Sequence, residues 1–283
     1  MRTRFAPAPT GWLHLGHVLN AEHVWTSGAE VLLRIEDHDR DRCRPEYEAG
    51  ILDDLDWLGY RPDIFHTDAF RAGVCDGRQS DREAVYREAV DVLAKRGQVF
   101  GCSCTRKEII DRGRTWAGGG RDVDGTGIAE LRYDGHCRDR GVPLADGYGW
   151  RVRMDAGVEC FADRRLGRQA QDPSAQCGDV LIRDRLGNWT YQFAVSVDDF
   201  RQGIDLVIRG EDLLASTGRQ IRIARLLGRD QPSTFLHHAL IMKSPRQKLS
   251  KSDDDTGIRD LRARGMSADG IRSAARRIIQ PCQ

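Results

Sequence analysis

Apolar positions along this chain alternate between short compact runs and helically spaced sets. Residues 2–6 read as a short strand, broken by Pro7 and Pro9, which stiffen the loop that follows. Val18, Ala21 and Trp25 then recur at helical spacing over 17–26. Residues 31–35 are a second strand-length run, closed by the charged 36–39. Ile51, Leu52, Leu55 and Leu58 predict a helix over 45–59. Residues 80–97 predict another, with Ser80 as N-cap, Glu83 three residues on, and Gly97 closing it.

Strands alternating with helices imply parallel β-α-β units, so the expected class is α/β, a doubly wound parallel sheet. Between residues 101 and 149 the pattern gives way to Gly, Asp, Arg and Cys. Residues 98–190 therefore read as an insertion, with strands at 150–154 and 180–183. The expected divisions are 1–97, the first half of the core; 98–190, the insertion; 191–256, the second half; and 257–283, a basic helical tail. In the second half, alternation resumes at 191–197 and 206–208, a helix follows at 216–227, and 234–242 leads back toward the site.

Composition narrows the class. The chain has 283 residues, 40% hydrophobic and 31% charged, enough for a substantial core in one or two domains. A net charge of +1 excludes a uniformly basic nucleic-acid binder and leaves RNA contact to local patches. Such a patch is the tail, with Arg259, Arg262, Arg264, Arg272, Arg276 and Arg277, which fits either an RNA backbone or a solvated helix face. No apolar run approaches the roughly 18 residues of a membrane helix. The N-terminus carries no continuous apolar stretch of a secretory signal, so no membrane partner and a cytoplasmic location are expected.

Chemistry concentrates in two strings. His14 and His17 flank Gly16 just past the first loop, where a helix N-terminus favours phosphate. Three residues apart, they share one helix face and can both donate to phosphate oxygens. Gly16 leaves room for an adenine against the backbone. Far along the chain, Lys248-Leu-Ser-Lys-Ser252 packs two ammonium groups and two hydroxyls into five residues. Lysine suits a mobile phosphate-binding loop because it is a flexible point charge. Alone, either string also suits a solvated turn.

In this order, the two strings resemble the signature loops of class I aminoacyl-tRNA synthetases. Further strings narrow the resemblance to glutamyl-tRNA synthetases: Arg4-Phe-Ala-Pro-Ala-Pro-Thr-Gly11, Leu33-Arg-Ile-Glu-Asp37, residues 191–199 and Val207-Ile-Arg-Gly-Glu-Asp212. The chain ends soon after Ser252, so the family's anticodon-binding domain is expected to be absent. A catalytic core of that kind is similar to the glutamyl-Q tRNA(Asp) synthetases. The resemblance implies a Rossmann-type core, ATP with Mg²⁺, L-glutamate, and transfer to the queuosine base of tRNA(Asp) by a monomer. Two alternatives stay open: a truncated enzyme that charges tRNA(Glu), and a non-catalytic amino-acid- or tRNA-binding paralogue.

The resemblance puts glutamate contacts at Arg4, Ala6, Ala8, Glu36, Tyr191 and Arg209. ATP contacts fall at His14, Gly16, His17 and Lys251, and the catalytic set is His14, His17, Lys248 and Lys251. The charges agree: guanidinium groups suit the side-chain carboxylate, and Glu36 suits the ammonium. Ala8 stands where the family usually has Ser, so only backbone can serve there. Cys102, Cys104, Tyr133 and Cys137 resemble the family's structural zinc site, and His136 is the chemically ordinary rival to Tyr133. The remaining cysteines are not at ligand spacing.

Overall fold

The computed structural model describes residues 1–112, 131–240, 242–244, 247–248 and 257–279. In chain order it runs β1 (Arg2–Phe5), α1 (Leu15–Trp25), β2 (Glu30–Leu33), α2 (Pro45–Leu58), α3 (Thr67–Arg71), α4 (Glu83–Lys95) and β3 (Val99–Cys102). Next come α5 (Arg106–Arg112), β4 (Gly149–Val152), β5 (Glu159–Asp163), β6 (Gly167–Gln171), α6 (Pro173–Gln176), β7 (Val180–Arg183) and α7 (Tyr191–Arg201). The chain closes with β8 (Leu206–Gly210), α8 (Thr217–Leu226), β9 (Thr234–His238), β10 (Met242–Ser244), β11 (Gln247–Lys248), α9 (Ile258–Ala263) and α10 (Ala268–Ile279).

The fold is mixed α/β in two compact units. The first comprises Met1–Arg82, Ile204–Glu211 and Leu236–Gln283. In it β1 and β2 pair in parallel, from Arg2 opposite Glu30 to Phe5 opposite Leu33. The Asp205 N–H donates to the Arg2 carbonyl (2.9 Å), which sets the chain entering β8 beside β1. Phe5, Leu33, Ile35, Leu206 and Ile208 supply one side of the core. Val18 and Val24 of α1, Ile51 and Leu55 of α2, and Ile271 and Ala275 of α10 supply the rest. Each such aliphatic side chain removed from water contributes about 1.5–3 kcal/mol. Pro45 starts α2, and Gly59 ends it at φ 78°, a left-handed cap that β-carbons disfavour.

The second unit comprises Glu83–Gly203 and Asp212–Phe235. Its antiparallel sheet runs β3-β4-β7, and β5 and β6 form an antiparallel pair. Trp150, Val152, Ile182, Trp189 and Phe193 pack with Tyr86 of α4. The buried Tyr86 hydroxyl donates to Asp198 Oδ2 at 2.9 Å, tying α4 to α7.

Three expectations are revised. Ser80 is not an N-cap: 79–82 form a 3-10 turn and α4 begins at Glu83. The Ser80 N–H is used by Asp37 Oδ1 (2.8 Å) and the Gln79 N–H by the Ile35 carbonyl, so the segment is drawn toward β2. Residues 191–201 are one helix, and the tail is two helices rather than one. No described helix is long and apolar enough to cross a membrane.

Candidate active site

The first loop delivers His14 as the N-cap of α1 in extended conformation (φ −131°). His14 Nδ1 accepts from the Gly16 N–H (3.0 Å), and His17 Nδ1 accepts from the His14 N–H (3.1 Å). An imidazole whose Nδ1 accepts carries its proton on Nε2 when neutral. The two ring centroids lie 4.0 Å apart. Gly16 serves this cap: a Cβ there would stand 2.8 Å from His14 Cε1. The ring beside it is thus a second reason for glycine here, besides the room for adenine that the sequence suggests.

Lys248 pairs with Met242 in the β10–β11 hairpin, and Lys251 lies outside the described residues. The chain is described again at Gly257, which forms an antiparallel bridge with His14, and the Ile258 N–H donates to the Leu13 carbonyl (2.9 Å). The strand pairing that follows the lysine string is therefore made with the histidine turn itself.

Arg4, Glu36 and Arg209 are all buried within the first unit. Arg4 Nη1 donates to the Ile208 carbonyl at 3.1 Å, next to Arg209 in the chain. The Glu36 N–H donates to the Pro7 carbonyl (3.0 Å), which sets Glu36 beside the backbone between Ala6 and Ala8. Arg209 Nε donates to Nε2 of the buried His237 at 3.1 Å. Tyr191 belongs to the second unit, half-buried at the first position of α7. It lines a cavity of about 610 Å³ together with Cys102, Arg151, Asp179, Gln192 and Arg219.

Sequence reasoning missed Arg34, His237 and Arg219. Arg34 is fully buried and its Nη2 meets Glu36 Oε1 at 3.0 Å. Its signal was a charge inside an otherwise apolar strand run, Val31-Leu-Leu-Arg-Ile35. His237 had a weaker signal, a histidine pair in the segment leading back to the site. Arg219 is buried in α8, and loss of hydration pulls its pKa down to about 10.

In the second unit, the Sγ atoms of Cys102, Cys104 and Cys137 lie within 4.8 Å of one another, and His136 is not part of the group. Tyr133 joins it: Cys102 Sγ is 3.5 Å from the phenol oxygen, which accepts from the Cys137 N–H at 2.8 Å. Three thiols and a phenol within bonding reach of one point fit a tetrahedral thiophilic metal. Burial, then the bond to Cys137, pushes the Cys104 thiol up to about 11. Burial would also raise Cys137, but donors from Ser103, Tyr133 and Cys104 outweigh it and bring it to about 7. Burial, then the Cys102 bond, raises the Tyr133 phenol, so a cation is needed to make it a phenolate.

The tail arginines are largely engaged inside the first unit. Arg259 stacks on Trp12 (3.7 Å) and Arg262 on Trp57 (4.9 Å). Arg272 and Arg276 donate to the buried Glu22 at 3.0 and 2.5 Å. Arg272 is half-buried and the other five tail arginines are exposed, so the basic face is solvated while several of its members also hold rings or Glu22 of the first unit.

The family profile for class I tRNA synthetases (E and Q), catalytic domain, matches residues 1–279. The chain is 41% identical over 258 residues to a glutamyl-Q tRNA(Asp) synthetase of Bordetella bronchiseptica, covering 88% of this chain and 74% of that one. It is 36% identical over 291 residues to a glutamyl-Q tRNA(Asp) synthetase of Rhodobacter capsulatus, covering 96% and 98%. Among solved structures it resembles a glutamate tRNA ligase from Elizabethkingia meningosepticum in complex with its amino acid. That match has TM-score 0.71 and 28% identity over 90% of this chain, which spans only 52% of the ligase. The chain belongs to the class I tRNA synthetase family for E and Q, among the glutamyl-Q tRNA(Asp) synthetases.

Proposed function

We propose that this enzyme activates L-glutamate with ATP and transfers it to the queuosine base in the anticodon of tRNA(Asp). The observation that carries the reading is one unit that buries Arg4, Glu36 and Arg209 and also holds the cap formed by His14 and His17. Arg4 and Arg209 bind the side-chain carboxylate of glutamate. Arg34 holds Oε1 of Glu36, and the Glu36 carboxylate takes the ammonium. Ala6 and Ala8 contribute backbone.

A glutamate α-carboxylate oxygen attacks the ATP α-phosphorus in line. A P–O bond forms, pyrophosphate leaves, and glutamyl-adenylate remains. The Nε2–H groups of His14 and His17 and the ammonium groups of Lys248 and Lys251 donate to the phosphate oxygens as charge builds, and Mg²⁺ brought with ATP would supply further charge neutralisation. Gly16 keeps the backbone open to the nucleotide. A hydroxyl of the queuosine cyclopentenediol then attacks the acyl carbon, and AMP leaves. Zinc held by Cys102, Cys104, Cys137 and Tyr133 would close a structural site and stiffen the insertion, which we take as 98–190.

The test is transfer of labelled glutamate to tRNA(Asp) with queuosine, to the same tRNA with guanosine at that position, and to tRNA(Glu). Label on the queuosine form alone supports the proposal. Label on the 3′ end of tRNA(Glu) would make the chain a conventional charging enzyme. No glutamate activation at all would leave a binding paralogue.

A further inference from the structure

We infer that Arg151 is a positioning residue for the metal centre of the second unit: its guanidinium covers the Tyr133 ring, keeps the phenol oxygen on the three thiols, and supplies a buried positive charge beside them. The inference rests on the reading of Tyr133 as the fourth ligand. Arg151 lies on β4, the middle strand of the β3-β4-β7 sheet, opposite Phe100 of β3 and Leu181 of β7. Its Cζ stands 3.8 Å from the centre of the Tyr133 ring.

One short segment, 177–179, fixes both partners. The Tyr133 N–H donates to the Cys177 carbonyl (2.9 Å), and Arg151 Nη1 donates to the Asp179 carbonyl (2.8 Å). Gly178 between them has φ 64°, and a Cβ there would stand 2.1 Å from the Tyr133 carbonyl oxygen. The backbone at Tyr133 thus rests directly on the segment that anchors the guanidinium. At the other end of the ring, the Cys137 N–H donates to the phenol oxygen at 2.8 Å. Swinging the ring away from the thiols would break its contact with Arg151.

Charge gives the second argument. Arg151 is 8% exposed, and its Nε is buried with no hydrogen-bond acceptor among the described residues. The Asp179 carboxylate is engaged elsewhere, accepting from Arg138 (3.0 Å) and from the Met154 N–H (2.9 Å). A buried cation without a paired anion is costly. Three thiolates and a phenolate carry more negative charge than a divalent ion cancels, so the loaded site supplies the counter-charge. A guanidinium over the ring face is placed to feel it. Arg112, the other cation here, reaches Cys104 Sγ at 3.0 Å, but it is exposed and already paired with Asp134 at 2.7 Å.

Chelator competition on the full chain measures zinc affinity, and a double-mutant cycle shows whether Arg151 acts through the phenol. Arg151→Leu should lower zinc affinity about tenfold or more. In a Tyr133→Phe background the ring remains but the oxygen is gone, and the same change should cost less than about threefold. Cobalt(II) in place of zinc reads the ligand set: the visible bands of Arg151→Leu should move toward those of Tyr133→Phe. A thermal melt identifies a variant that has lost its fold; Arg151→Gln, whose amide can still donate to the Asp179 carbonyl, then takes its place with the same expected losses. Parental zinc affinity in folded Arg151→Leu, or an equal loss in both backgrounds, overturns the inference. If Tyr133→Phe weakens zinc binding and Arg151→Leu does not, only the role of Arg151 fails. If Tyr133→Phe holds zinc as the parent does, the reading of the fourth ligand fails and the inference with it.

Discussion

His14 and Gly257 form an antiparallel backbone bridge, so the chain that emerges from the lysine string is stitched to the histidine turn. In the proposed reaction the two strings act on one nucleotide while Arg209 acts on the amino acid. Lys251→Ala should slow activation by about 10²–10³ and leave the glutamate KM within a few-fold. Arg209→Ala should do the opposite, chiefly raising the glutamate KM. Exchange kinetics with each substrate varied in turn check both. If the two variants share one kinetic profile, the division of labour is wrong.

Gly16 offers a sharper test of the cap. Its Cβ would lie 2.8 Å from His14 Cε1, inside van der Waals contact. Gly16→Ala should displace the His14 ring and lower kcat/KM for ATP about tenfold, with the glutamate KM preserved. An unaffected ATP dependence would mean that the ring position has no part in activation.

The candidate site residues could be picked out along the chain because they fall in or beside strands and at one helix start. Such places show as motif residues beside proline or glycine. Arg34 could not be assigned, because a buried guanidinium and a surface one look alike in sequence until Glu36 is seen against it. Ser80 illustrates a different failure. Its local pattern is that of an N-cap, but Asp37, forty-three residues earlier, claims its N–H. The tail was legible as helical and basic. That Arg272 and Arg276 turn inward to Glu22 depends on packing, which periodicity does not carry.

The zinc reading predicts one equivalent of bound metal, measured by elemental analysis. Cys102→Ser should release it, and Tyr133→Phe should weaken binding by about 10–100-fold with the fold retained. His136→Ala should leave the metal content unchanged, because its ring is not grouped with the three thiols. Loss of zinc in His136→Ala with retention in Tyr133→Phe would reverse the assignment of the fourth ligand.

Acid should unfold the first unit by two titrations. Burial, then repulsion from the stacked His238, lowers His23 from 6.5 to about 4. A histidine depressed in the folded state contributes stability that is complete above pH 6.5 and is lost as the pH falls toward 4. Glu22 adds a second loss below its ordinary 4.5. Burial opposes its ionisation, but Arg276, Tyr60 and Arg272 outweigh that and hold the carboxyl low. His23→Gln should flatten the decline between pH 6.5 and 4. Glu22→Gln should cost about 3 kcal/mol near neutrality. Denaturant melts across pH measure both, and an unchanged slope in His23→Gln would remove histidine from the explanation.

The central claim is that this fold joins glutamate to AMP before any RNA is present. Pyrophosphate exchange into ATP, followed with zinc-replete protein and no tRNA, measures that step alone. The account predicts exchange that requires L-glutamate and is not supported by glutamine or aspartate. Exchange that appears only when tRNA is added, or that proceeds equally well with glutamine, would contradict it.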